Sequence, residues 1–225
     1  MGAAIKNDHL EPVRRQLLAA ALFHIPFDGW SAISLNKAAR DCGMESGMAK
    51  LAFPGGAKDL LSCFVAECDL AMLAALRDAK LDEMRIRDRI KTAVKARIDA
   101  IGQHAEAERR ALSFLALPQN ASMGFGFVAQ TVDLMWRAAG DTSTDFNFYT
   151  KRGLLAGVYS ATLLYWLNDT SEENQATWAF LDRRIDDVMQ IEKTKAKVFK
   201  ATKNMPSPIS LLARLRYPGE SRMKP

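Results

Sequence analysis

The stretch from Ser34 to Leu61, SLNKAARDCGMESGMAKLAFPGGAKDLL, decides the fold. Ser34 can cap a short helix through Leu35, Ala38 and Ala39 that stops at Gly43. A second short helix spans Glu45 to Ala52 and is closed by Pro54-Gly55-Gly56. A long helix follows from about Lys58 to Leu81, with Leu60, Leu61, Phe64, Cys68, Met72 and Leu76 on one face. Two short helices broken at a glycine and backed by a long one form a helix-turn-helix pattern.

Outward from this stretch the same periodicity continues. Val13 to Phe23 reads as a helix ended by Pro26 and Gly29. Ile86, Ile90, Val94, Ile98 and Ile101 recur at three or four residues and mark another. Glu106 to Ala116 is stopped by Pro118, and Val128 to Ala139 by Gly140. Asp141 to Asp145 is an N-cap cluster, with Thr142 and Asp145 approximating a capping box, for an apolar helix to Leu167. Thr170 or Ser171, with Glu172 and Glu173, starts the last large helix, which carries Trp178, Leu181, Ile185, Val188, Met189 and Ile191 before turning lysine-rich. No segment alternates with period two between hairpin turns. The expected class is all-α, a bundle of about nine helices. Its expected parts are residues 10–56 as a helix-turn-helix subdomain, 57–203 as a helical domain, and 204–225 as a linker and tail.

Charge is distributed unevenly. From Lys193 to Pro225 nine cations stand against Glu220 alone, a net of +8. The whole chain carries +5, so the preceding residues carry −3. A basic segment implies an anionic partner, nucleic acid or lipid. Within the tail, Ile209, Leu211, Leu212 and Leu215 form an apolar stripe on a helix, flanked by Arg214 and Arg216, with Tyr217 placed for headgroup level. Pro206-Ser207-Pro208 reads as its linker. The competing reading is that the stripe packs on the body or on a second subunit. Leu154 to Leu167 falls short of the roughly 20 residues a spanning helix needs. The N-terminus has no apolar signal core, so the expected location is the cytosol or its membrane face.

Motifs for catalysis are not found. His9, His24 and His104 lack a Glu three residues before them, which excludes the bundle di-iron pattern. No P-loop, dinucleotide loop or nucleophile elbow occurs, so neither catalytic residue, metal nor cofactor is expected. His24 reads as a capping or core histidine. The odd, sparse set Cys42, Cys63 and Cys68 fits a reducing compartment, and Cys63 and Cys68 read as small buried hydrophobes.

The Leu35 to Leu61 pattern, with Phe53-Pro54 and Asp59-Leu60-Leu61, resembles the start of TetR-type regulators. That resemblance makes Glu45 to Ala52 a recognition helix. Its residues include one cation, Lys50, and none of the Arg, Asn or Gln side chains that read bases. Ser34 to Phe64 nets only +1, a poor phosphate footprint. A scaffold without DNA binding is therefore favoured over a DNA-binding regulator that senses an apolar ligand. A third motif lies at Thr131 to Arg137, where Asp133 and Arg137 are i,i+4 partners beside Trp136. Trp with Arg on a helix is a typical interaction anchor, but Trp136 can also be core.

The strings His24 to Trp30 (HIPFDGW), Ala139 to Arg152 (AGDTSTDFNFYTKR) and Trp178 to Arg184 resemble the ubiquinone-biosynthesis accessory proteins, the ninth COQ protein family, in its bacterial form. The likeness spans about Val13 to Tyr217. It implies a TetR-like fold without DNA recognition, a homodimer, a hydrophobic cavity and a membrane-binding C-terminal helix. It further implies an accessory, non-enzymatic role. The cavity would hold an isoprenoid quinone intermediate or phospholipid, and the protein would present it to demethoxyubiquinone hydroxylase. The family's partner-binding patch falls on Met123, Asp133, Trp136 and Arg137. The expected cavity lining is Ile90, Val94, Leu112, Leu115, Leu155 and Tyr159. The tail would dock on the inner face of a bacterial membrane, with the protein otherwise cytoplasmic.

Overall fold

The computed structural model describes residues 10–141 and 146–202, with side chains at 10–141 and 148–190. Nine α-helices carry these residues: α1 Glu11–Asp28, α2 Ala32–Asp41, α3 Ser46–Ala52, α4 Ala57–Asp78, α5 Ile86–Ile101, α6 Ala105–Leu115, α7 Ala121–Ala138, α8 Phe146–Trp166 and α9 Gln175–Thr202. Helical periodicity without strand alternation produces this outcome. The chain divides into two compact units, Met1–Asp182 and Arg183–Pro225.

In the first unit, α2 and α3 form the expected helix-turn-helix, joined through Gly43 in the left-handed region at φ 64°. α1 packs across α2 and reaches α4 and α6, which ties the helix-turn-helix to the rest of the core. Phe53, Leu60 and Leu61 are wholly or nearly buried at this junction, as the sequence pattern requires. Arg14 holds the end of α3 by donating from Nε to the carbonyl of Ala52 at 2.8 Å. Trp30 closes the seam to α6. Its indole N–H donates to the Ala107 carbonyl at 3.0 Å, and its ring meets Phe64 at 5.4 Å. Beyond the junction, α4 packs on α5 and α7, and α7 on α8. Leu17, Ile25, Met72, Val94, Ile98, Ile101, Val132, Met135 and Leu181 are completely excluded from solvent.

Several boundaries differ from the sequence reading. α1 does not stop at Pro26 but runs to Asp28, ending where Gly29 at φ 68° returns its N–H to Ile25. A proline in the last turn forfeits one hydrogen bond, and the apolar face carrying Ile25 outweighs it. Ser31, not Ser34, caps α2, its hydroxyl accepting from the Ser34 N–H at 3.3 Å. Ser34 is buried and donates to the Gly29 carbonyl. α7 begins two turns earlier than Val128, at Ala121, and runs through Gly124 and Gly126. Glu172 and Glu173 form a short 3-10 turn, and α9 proper starts at Gln175. Ser171 takes its expected part, its hydroxyl accepting from the Ala176 N–H at 3.0 Å, and Asp169 completes the cap, its carboxylate accepting from the N–H groups of Ser171 and Thr177, each at 2.8 Å. Most of the 141–145 cluster, and the whole 203–225 segment with its expected linker and amphipathic helix, lie outside the described residues.

The second unit continues α9 from Arg183, where Arg184 and Asp187 pair one turn apart at 2.8 Å. Among the described residues no helix is long and apolar enough to cross a membrane.

Candidate functional site

On the α7–α8 surface Asp133, Arg137, Asp141, Lys151 and Arg152 form one set of ionic contacts. Asp133 on α7 takes two arginines. Arg137 approaches its Oδ2 at 2.6 Å from one turn along, and Arg152 on α8 donates to its Oδ1 at 2.7 Å. Arg152 also reaches Asp141 at 3.2 Å, and Lys151 meets the other oxygen of Asp141 at 2.8 Å. Trp136 lies within this network. Its indole N–H donates to the Lys151 carbonyl at 3.2 Å, and the Lys151 ammonium stands 5.5 Å from the ring centre. Arg152 stacks on Phe148 at 3.4 Å.

Burial within the set is graded. Asp141 is almost enclosed, Arg152 mostly so, and Arg137 is exposed. Trp136 is half-buried, between the two sequence alternatives: its N–H is anchored and part of its ring remains open. The arrangement is a fixed aromatic plate with an exposed cation at its rim. That suits docking to another surface, and its ionic groups are already satisfied by one another. Asp133, Trp136 and Arg137 come together as expected. Met123, half-buried, lies ten residues and roughly 15 Å earlier on the same helix, so it belongs to a different part of the face. Asp141, Lys151 and Arg152 were missing from the expected site. Their signal was the opposed pair of acid and dibasic dipeptide within the 139–152 string.

The expected cavity lining divides in two. Ile90, Val94, Leu155 and Tyr159 are buried, while Leu112 and Leu115 are half-buried on α6. The lining is not uniformly apolar, because ionisable groups share the core with it. Arg97 donates from Nε to Asp69 Oδ1 at 2.8 Å, and the Thr131 hydroxyl donates to the same carboxylate at 2.9 and 3.2 Å. Glu108 and Tyr159 are buried within electrostatic reach of Arg97. Burial pushes the Asp69 and Glu108 carboxyls upward, with Arg97 pulling the other way.

Other sequence candidates take quieter roles. His24 pairs through Nε2 with Asp41 Oδ2 across α1 and α2. The Cys63 thiol is pushed up to about 11 and Cys68 to about 12, chiefly by burial, so both are protonated at neutral pH. Among the described residues no group of three metal-ligating side chains forms. The outer face of α3 exposes Glu45, Ser46, Gly47, Met48, Lys50 and Leu51, which is apolar and acidic as much as basic. The six tail residues Ile209, Leu211, Leu212, Arg214, Leu215 and Arg216 lie outside the described residues.

The architecture is that of a TetR-like all-α protein. It superposes on the TetR transcriptional regulator from Nitrosomonas europaea with a TM-score of 0.66 at 20% identity, covering 78% of this chain and 97% of that one. Identity this low speaks for fold alone. The family model COQ9 matches residues 121–192, the segment that contains the Trp136 surface. It is 37% identical over 199 residues to the mitochondrial ubiquinone biosynthesis protein COQ9 of Rattus norvegicus, covering 85% of this chain and 63% of that protein. The Homo sapiens protein of the same name is 35% identical over 85% of this chain and 62% of its own length. The chain thus spans less than two thirds of these relatives.

Proposed function

We propose that this chain is a lipid-binding accessory protein of ubiquinone biosynthesis that performs no chemistry itself. It binds isoprenoid quinone intermediates, or phospholipid, at the membrane surface and presents them to demethoxyubiquinone hydroxylase. The observation that carries this reading is the Asp133–Trp136–Arg137 surface, braced by Arg152 and Lys151 inside the matched domain. The names of the COQ9 relatives supply the pathway. In this reading the shelter is the interior of α4 to α8, whose buried residues include Ile90, Val94 and Leu155, where burying isoprenoid carbon gains about 25 cal/mol per Å².

The chain works as a homodimer in this reading. Leu164 is exposed on α8, and Tyr165 stacks on Phe180 of α9 at 4.6 Å, an apolar surface available to a second copy. It is cytoplasmic, peripheral on the inner face of a bacterial membrane, and held there by the basic tail. Nucleic acid is not a partner, since the exposed face of α3 offers a single cation.

The test is a binding titration with the purified hydroxylase. Trp136→Ala weakens association by about 30-fold or more, as expected for a central aromatic anchor, with helical content unchanged. Unaltered affinity contradicts the assignment of this surface. Sequence-specific duplex binding at physiological salt would instead return the protein to the regulators.

A further inference from the structure

Arg97 occupies a position that the helix pattern reserves for a hydrocarbon. It lies on the buried face of α5, three residues after Val94 and four before Ile101, both of which have no exposed surface. Its own exposure is 2%. The guanidinium is held by one arm, with Nε donating to Asp69, and Asp69 is held in turn by Thr131 of α7. The second arm is different. Nη1 is fully buried and meets no hydrogen-bond partner among the described residues. A buried charged donor left unpaired is costly, and natural cores seldom keep one without a use. The surface pairs of this chain offer no parallel, since each lies where water can reach it.

The surroundings restrict what Nη1 can receive. Arg97 and Asp69 cancel as charges. Glu108 and the Tyr159 hydroxyl lie nearby within the same core, and neither environment welcomes a second anion. A carboxylate or phosphate would therefore face Asp69 and Glu108. A pure hydrocarbon would leave the donor unsatisfied. Val94 and Ile101, on the same buried face of α5, are apolar and wholly excluded from solvent, which demands an apolar body. The partner that satisfies each condition is a neutral acceptor oxygen on an apolar molecule.

We infer that Arg97 Nη1 is a polar seat inside the α4–α8 core that receives the carbonyl oxygen of a bound lipid, oriented by Asp69 and Thr131. This rests on the lipid-binding reading above and adds to it the feature of the ligand that is recognised. Two sources share that chemistry, the ring carbonyl of a prenylated benzoquinone and the ester carbonyl of an acyl lipid. Thr131 shares α7 with Asp133 and Trp136, so one helix joins the seat to the docking surface.

Binding by the full chain separates the possibilities. Three ligands are titrated by quenching of intrinsic tryptophan fluorescence: a short-chain prenylated benzoquinone, a short-chain diacyl phosphatidylcholine, and squalene, which has no oxygen. Arg97→Lys keeps the charge beside Asp69 and loses the second arm. The pair Arg97→Met with Asp69→Asn removes both charges together and guards against misfolding from one orphaned ion. In both variants the carbonyl ligand that uses the seat weakens about 10- to 100-fold, while squalene shifts by less than about twofold. Which ligand responds identifies the source. Equal loss for squalene and the carbonyl ligands overturns the seat, as does unchanged carbonyl affinity with a lowered melting temperature. Failure of the wild-type chain to bind any of the three overturns the lipid reading as well.

Discussion

Arg152 of α8 donates to one oxygen of Asp133 while Arg137 of α7 occupies the other, at 2.7 and 2.6 Å. The bidentate use of Asp133 joins two helices and fixes the plate on which Trp136 lies. Arg152 is mostly enclosed and also contacts Asp141, so its loss leaves two acids without their shared cation.

Arg152→Ala is therefore expected to lower stability by about 2 kcal/mol, because Asp133 and the nearly enclosed Asp141 each lose one of their two cations and α7 loses its ionic tie to α8. Urea unfolding monitored by circular dichroism reads this. Arg137→Ala, at an exposed rim, is expected to cost less than about 1 kcal/mol. Equal costs for the two would contradict the division between brace and rim.

Glu108 supplies a prediction with a pH signature. Its carboxyl is buried on α6 and held above the ordinary carboxylate value by that burial, with Arg97 opposing. A folded-state pKa raised above the unfolded one favours the fold at low pH and costs stability as pH rises through the folded value. Glu108→Gln removes that cost. Its melting temperature should exceed the wild type at pH 8, and the difference should shrink as pH falls toward the range where the unfolded carboxyl takes up its proton. A constant difference across pH, or a destabilised variant at pH 8, would contradict the burial argument.

The division between what was legible and what was hidden in the sequence follows from physical range. Helix existence is local, so the isoleucine stripe of α5 and the Leu60–Leu76 face of α4 declared themselves by spacing. The Phe53 and Leu60-Leu61 junction was legible for the same reason. At α9 the part of Ser171 was legible and that of Asp169 was not, because Asp169 reaches eight residues along the chain to Thr177. Arg152 and Asp69 were invisible as site residues because their partners lie 19 and 28 residues away, in other helices. A charge on an apolar stripe, as at Arg97, was the available signal for the core cluster.

The tail prediction rests on sequence. Deleting residues 205–225 should abolish flotation with anionic vesicles and leave the melting temperature unchanged, since the deletion removes the apolar stripe with its arginines. Wild-type flotation should fall with added salt as the surface charge is screened. Flotation that persists after deletion would refute the anchor.

Native mass spectrometry of the intact chain, followed by solvent extraction, shows whether the α4–α8 core holds an isoprenoid lipid. The expected result is an adduct that extracts into organic solvent and carries a prenyl chain or, from a host lacking the quinone, an acyl lipid that added prenylated quinone displaces. A chain that emerges without any apolar adduct, and acquires none when prenylated quinone is supplied, would contradict it.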